Sequence, residues 1–171
     1  MPSSWEDRGV TEALHSNTVA GWREWVGLPQ ADIPWMKAKL DTGARSSALH
    51  AVGIEEFERD GATWVRCGIR PWQHTVADGV IIELPVHDVR SVRSSSGHSQ
   101  RRYVVLMQIV LLGRELTTEV TLTNRDRMGF RILIGRQALR QGFVVDSKRS
   151  FVGGRAPKAV RRRNRGAAPS A

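Results

Sequence analysis

Residues 36–44, Met36-Lys37-Ala38-Lys39-Leu40-Asp41-Thr42-Gly43-Ala44, set the narrowest limits on what this chain can become. Met36, Ala38 and Leu40 recur at period two against Lys37 and Lys39, the pattern of a strand buried on one face. The strand ends at Asp41, where Thr42 offers a hydroxyl and Gly43 removes the Cβ at a point of close backbone approach. A carboxylate delivered into such a turn is held rigidly by local hydrogen bonds, as acid–base chemistry requires. Asp-Thr-Gly is also a good turn in its own right, so these three residues alone do not establish a site.

Strand patterns continue along the chain. Residues 22–26 can form a strand, and residues 28–34 make a Pro-punctuated connection into the Asp41 strand. After the Asp41 turn, residues 46–52 and 54–59 are strand-like, and Asp60-Gly61 is a hairpin turn from which residues 63–69 return, with Thr63, Val65, Cys67 and Ile69 on one face. Residues 80–86 follow as a strand. Residues 89–93 and 101–106 flank the polar tip 94–100, a hairpin that suits either a loop covering a cleft or a plain surface turn. Residues 109–113 and 115–122 supply two further strands, and residues 124–129 lead into the apolar strand 131–134. A short helix over 137–141 is stopped at Gly142, and residues 143–146 form a last strand, expected at an interface. Many short strands with few helices define a mainly β chain.

A length of 171 residues with 40% apolar and 25% charged residues suits one domain with a core of its own. Residues 1–20 are polar, lack periodicity and are expected to be flexible, apart from a short helix near residues 11–15. The domain spans residues 21–153. The net charge of +9 has a local origin: after Asp146 come Lys148, Arg149, Arg155, Lys158, Arg161, Arg162, Arg163 and Arg165, with no acid among them. Without them the balance is near neutral, so residues 154–171 are expected as a basic, disordered tail able to attract acidic polypeptides or, weakly, RNA or the ribosome. Cys67 is the one cysteine, which excludes an internal disulfide and fits a small buried apolar side chain. The first residues do not read as a signal peptide, and the longest apolar run, 104–112, is interrupted by Gln108 and too short to span a bilayer. A cytoplasmic protein without membrane contact is the expectation.

A second element adds to Asp41. Arg131-Ile132-Leu133-Ile134-Gly135-Arg136 is an apolar strand ending at glycine, and together with Asp41-Thr42-Gly43-Ala44 it resembles the retropepsin-like aspartic proteases. Residues 21–29 and 38–51 resemble more closely a bacterial family often labelled "ATP-dependent zinc protease", whose members accompany glutamate ligases; the likeness covers roughly residues 21–153. The resemblance implies a retropepsin-like closed β-barrel with one short helix, Asp41 as the catalytic group, and Thr42, Gly43, Ala44 and Gly135 as the residues that shape the turn and let the two strands approach. The chain has one Asp-Thr-Gly and no internal repeat, whereas such a site uses two carboxylates. A two-fold homodimer that faces Asp41 with its own copy supplies the second.

Two carboxylates that close share a proton and titrate as a coupled pair, so one activates a water and its neutral mate donates to the carbonyl oxygen. Arg45 beside the motif, with Arg93, Arg101 and Arg102 near the possible covering hairpin and Arg90 in the same strands, suits acidic side chains in a substrate. Combined with the ligase association, this points to acidic or glutamate-extended polypeptides. No cofactor and no metal are expected: His15, His50, His74, His87 and His98 are scattered, and neither a His-Glu-x-x-His pattern nor a phosphate-binding glycine loop occurs. Two other readings stay open, a non-catalytic β-barrel module binding acidic protein or RNA, and a zinc-dependent hydrolase using Asp41, His50 and another histidine.

Overall fold

The computed structural model describes residues 17–94, 96–124 and 129–168. Eleven strands and two short helices follow in order: β1 (Thr18–Gly21), β2 (Arg23–Leu28), β3 (Ile33–Leu40), β4 (Ser47–Arg59), β5 (Ala62–Ile69), β6 (Val80–Pro85), β7 (Asp88–Arg93), β8 (Ser99–Leu111), β9 (Arg114–Thr123), β10 (Ile132–Ile134), α1 (Arg136–Leu139), β11 (Phe143–Asp146) and α2 (Lys158–Asn164). The mainly β class is as expected. The helix predicted over 137–141 starts one residue earlier. No described helix is long and apolar enough to cross a membrane.

Nine strands form one sheet, in which β10 pairs with β3 in parallel and with β4 in antiparallel fashion. The other pairings run β3–β2–β8–β9–β4, so the path returns to β10. Neighbours on both edges and packing on both faces explain why β10 has no polar position: Ile132 and Ile134 are fully buried. β3 keeps the alternation read from its sequence, with Met36, Ala38 and Leu40 in the core and Lys37 and Lys39 half-buried on the other face. Each large apolar side chain buried in this way contributes about 2 kcal/mol from removal of its surface from water.

The two strand segments expected over 46–59 are one strand. β4 bends at a register shift between Val52 and Glu55, where Gly53 takes φ of 58°. Its first half lies between β9 and β10 and its second half pairs with β5. A bulge keeps the ladder going while redirecting it, which a sequence pattern registers only as a break. Likewise β8 runs unbroken from Ser99 to Leu111, joining segments that the sequence separates.

Both chain ends differ from expectation. The ordered fold begins before residue 21: β1 pairs in parallel with β11. The strand expected at an interface, β11, pairs with β1 along one of its edges. The helix expected near residues 11–15 lies outside the described residues. Residues 154–168, expected as part of a disordered tail, fold back onto the domain. Ala156 is buried, and the Asn164 side chain accepts from the Gln73 backbone N–H at 3.0 Å and donates to the Gln73 side chain at 2.8 Å. Arg163 pairs with Asp78 at 3.1 Å. Docking of α2 gives its hydrogen-bonding and apolar positions partners that composition cannot reveal, so a second short helix joins the one expected.

Glu24 secures the same end of the chain. It is buried, and its carboxylate accepts from the backbone N–H groups of Gly21 at 2.7 Å, Val152 at 2.7 Å and Gly153 at 3.2 Å. A buried carboxylate is tolerated where several donors replace its water shell.

Candidate active site

The end of β3 sets Asp41. Its backbone N–H donates to the Ile134 carbonyl at 2.8 Å, extending the β3–β10 ladder by one bond into the turn. The Asp41 carbonyl accepts from Ala44 N–H at 3.3 Å, and carboxylate Oδ1 accepts from Gly43 N–H at 2.9 Å. Oδ1 is thus anchored while Oδ2 lies 3.9 Å from Lys39 Nζ, and about a third of the side chain remains exposed. A carboxylate with one oxygen held and the other accessible can exchange a proton with a water or a partner group.

The two glycines act differently. A Cβ on Gly43 would lie 3.2 Å from Asp41 Oδ1, so this glycine leaves room for the carboxylate itself. A Cβ on Gly135 would lie 2.5 Å from the Ser46 carbonyl oxygen and 3.0 Å from that of Ala44. Gly135 therefore permits the close approach expected of it, between the start of α1 and the Asp41 loop. That approach is tied by bonds across it: Gly135 N–H to Ser47 Oγ at 3.0 Å, Arg136 N–H to the Ala44 carbonyl at 2.8 Å, and Gln137 N–H to the Arg45 carbonyl at 3.1 Å.

Asp41, Thr42, Gly43, Ala44 and Gly135 are accordingly brought together. Thr42 is exposed, and its carbonyl accepts from Arg136 Nη1 at 3.4 Å. Arg45 sits exposed in the same turn. Arg93, Arg101 and Arg102 belong instead to the β7–β8 hairpin, where Arg101 lies 3.8 Å from Glu56 and Arg102 donates to Gln100 at 3.2 Å. Arg90 is committed to structure: it donates to Glu119 at 2.6 and 3.0 Å and to Asp88 at 2.7 Å. The Arg90 guanidinium holds the carboxyls of Glu119 and Asp88 below the usual carboxylate range.

Lys39, Arg136 and Ser47 complete the surroundings of the turn; Arg136 closes the motif quoted from sequence, while Lys39 and Ser47 were given no site role there. Lys39 had a signal, since it stands two residues before Asp41 on the same strand face. Ser47 had none, because its partner Gly135 is 88 residues away. His50 is buried in β4, His74 lies near α2, His87 is 3.2 Å from Glu119, and His98 is on the β7–β8 tip. Among the described residues no group of three or more His, Cys, Asp or Glu side chains is placed to hold a metal ion.

Comparison with known proteins gives a consistent family. The RimB-like family, described as retropepsin-like aspartic endopeptidase RimB, matches residues 19–156. A probable alpha-L-glutamate ligase of Shewanella pealeana is 41% identical over 133 residues, 78% of this chain and 29% of the ligase. One of Desulfotalea psychrophila is 39% identical over 128 residues, 75% of this chain and 28% of the ligase. The chain thus spans less than a third of the length of these curated relatives. The crystal structure of a Legionella pneumophila protein of unknown function superposes with a TM-score of 0.69 at 32% identity, covering 81% of this chain and 99% of that one.

Proposed function

From this chain's membership of the RimB-like family of retropepsin-like aspartic endopeptidases, we propose that it hydrolyses peptide bonds, with Asp41 as its catalytic group. The observation that carries the reading is the anchored, accessible carboxylate at the end of β3, held against β10 by backbone bonds. A homodimer brings the Asp41 carboxylates of two copies together across a two-fold axis, and the ring of strand pairings serves as the closed barrel of each half. One Asp41, ionised, takes a proton from a water whose oxygen attacks the peptide carbonyl carbon. The other, protonated, donates to the carbonyl oxygen. Collapse of the tetrahedral intermediate breaks the C–N bond: the amine leaves with a proton returned by the first carboxyl, and the second carboxylate takes back a hydroxyl proton as the acid product forms. Thr42, Gly43, Ala44 and Gly135 hold the turn, and Arg45 lies where it can meet a substrate carboxylate.

The substrate we propose is an acidic or glutamate-extended polypeptide in the cytoplasm. Support comes from the relatives whose names are probable glutamate ligases, and from the cations Lys39, Arg45 and Arg136 around the turn. A zinc mechanism lacks a donor set among the described residues, so no step is derived through a metal.

A second reading, a binding module for acidic protein or RNA, is favoured by the basic face of α2 with Arg161, Arg162 and Arg163 in its last turn. The test is turnover of a glutamate-tailed protein by wild type and Asp41→Asn, with and without chelator, alongside sedimentation. The peptidase reading expects loss of cleavage in Asp41→Asn without unfolding, indifference to chelator, and a dimer. Intact Asp41→Asn activity would sink it; binding without cleavage, abolished by deleting residues 155–171, would install the second reading.

A further inference from the structure

A cavity of about 330 Å³ lies between the outward face of β2 and β3 and the C-terminal segment. Arg23, Lys37, His74, Arg155, Arg161 and Arg165 contribute to its wall, and among the described residues no carboxylate does. The Arg23 guanidinium is steadied by Ser150 Oγ at 3.1 Å and packs on the Trp22 and Phe151 rings, while the Lys37 ammonium packs over Phe130 and Phe151. Burial, and then the facing charges of Arg23 and Arg165, hold Lys37 below the ordinary lysine range. So many like charges converging on one hollow repel one another, and a multiply charged anion relieves that repulsion. The Arg155 and Arg165 side chains make no hydrogen bond or ion pair among the described residues.

The place of the hollow in the fold says which anion. Lys37, Lys39 and Asp41 stand at alternate positions on one face of β3, and Arg23 is the cross-strand partner of Lys39. The four steps from Lys37 to Asp41 span roughly 13 Å of strand. An extended peptide lying along this face with a peptide bond at Asp41 therefore reaches the hollow with a side chain about four residues away. A folded RNA stem offers no such extended thread through the Asp41 turn.

We propose that this hollow is a carboxylate-binding subsite that holds an acidic side chain of the substrate about four residues from the scissile bond. The proposal rests on the peptidase reading and deepens it. Arg161 and Arg165 follow the family-matched region, which ends at residue 156. α2 then acts as a built-in wall of the subsite, anchored at Asn164 to Gln73 and placing Arg161, with Arg165 just beyond its end, at the hollow.

Two measurements test it. In the first, a fluorescent hexaglutamate peptide and an oligouridylate of equal charge are titrated into the Asp41→Asn protein, alone and combined with Arg155→Gln/Arg165→Gln. Hexaglutamate affinity is expected to fall about tenfold or more in the triple variant, as for removal of two charge contacts. In the second, kcat/KM is compared for a long glutamate-run peptide and a short one with two residues on each side of the scissile bond. The advantage of the long peptide should shrink by a similar factor in Arg155→Gln/Arg165→Gln, mainly through KM. Lys37→Gln, on the opposite wall, should reproduce the effect without touching α2. Cleavage with an undiminished long-peptide advantage and unchanged binding overturns the subsite and leaves the peptidase reading standing. Absence of all cleavage with charge-dependent hexaglutamate binding overturns the peptidase reading and, with it, a subsite defined by its distance from a scissile bond, leaving a plain acidic-peptide site. Arginine-dependent binding of the oligouridylate alone overturns the carboxylate assignment.

Discussion

Gly135→Ala tests how closely the turn at Asp41 depends on its neighbour. The added Cβ would sit 2.5 Å from the Ser46 carbonyl oxygen, where side-chain carbons do not approach within 3.0 Å, and 3.0 Å from the Ala44 oxygen. Both obstacles are backbone atoms, so no side chain can swing aside. One strand must move by at least half an ångström, and three cross-connections, Gly135 to Ser47, Arg136 to Ala44 and Gln137 to Arg45, oppose that movement. Overpacking of this kind costs about 1–3 kcal/mol, and one lengthened hydrogen bond adds about 1 kcal/mol. The total of about 2–4 kcal/mol corresponds to a melting temperature lower by roughly 5–15 °C. A misplacement of about 1 Å can lower turnover by about 10²-fold, so a half-ångström shift of the Asp41 loop is expected to lower it by about tenfold. Thermal melts and peptide turnover are measured beside Gly129→Ala, where an added Cβ meets nothing within 4 Å. Gly135→Ala matching that control in both would refute the close-approach argument.

Three further outcomes are expected. Glu24→Ala removes a buried acceptor from three backbone donors and should cost about 3–5 kcal/mol in urea unfolding, with Glu24→Gln intermediate; a loss below about 1 kcal/mol would contradict the clamp. Burial pushes the Cys67 thiol up from 9.0 to about 11. The folded protein therefore keeps its proton where the unfolded chain has lost it, and stability should drop between about pH 9 and pH 11, a slope that Cys67→Ala removes. Native protein should also react slowly with thiol reagents at pH 8. Arg90 depresses the carboxyls of Glu119 and Asp88, so their contribution is present above the unfolded carboxyl range and lost as pH falls through the depressed values. Arg90→Ala should shrink that acid-limb dependence in denaturant midpoints, and only weakly because the pairs are exposed.

Much of this chain was legible from period and punctuation. The alternation of Met36, Ala38 and Leu40 marked a strand with one buried face, Asp60-Gly61 marked a hairpin, and the unbroken apolar run at Ile132 marked a short strand ending at glycine. These are local properties, set by side-chain direction and turn chemistry. The grouping of Asp41, Thr42, Gly43, Ala44 and Gly135 was legible only through likeness to a family, since nothing local relates residue 41 to residue 135.

What only the tertiary structure decided involves partners distant in the chain. A bulge at Gly53 turned two apparent strands into one, because a ladder can continue through a residue that breaks the alternation. The basic C-terminal segment, read from charge as solvated and disordered, instead found Gln73 and Asp78 as partners and packed as a helix. Composition reports how many charges a segment carries; whether they face water or converge on one hollow depends on which surface the chain folds back to meet.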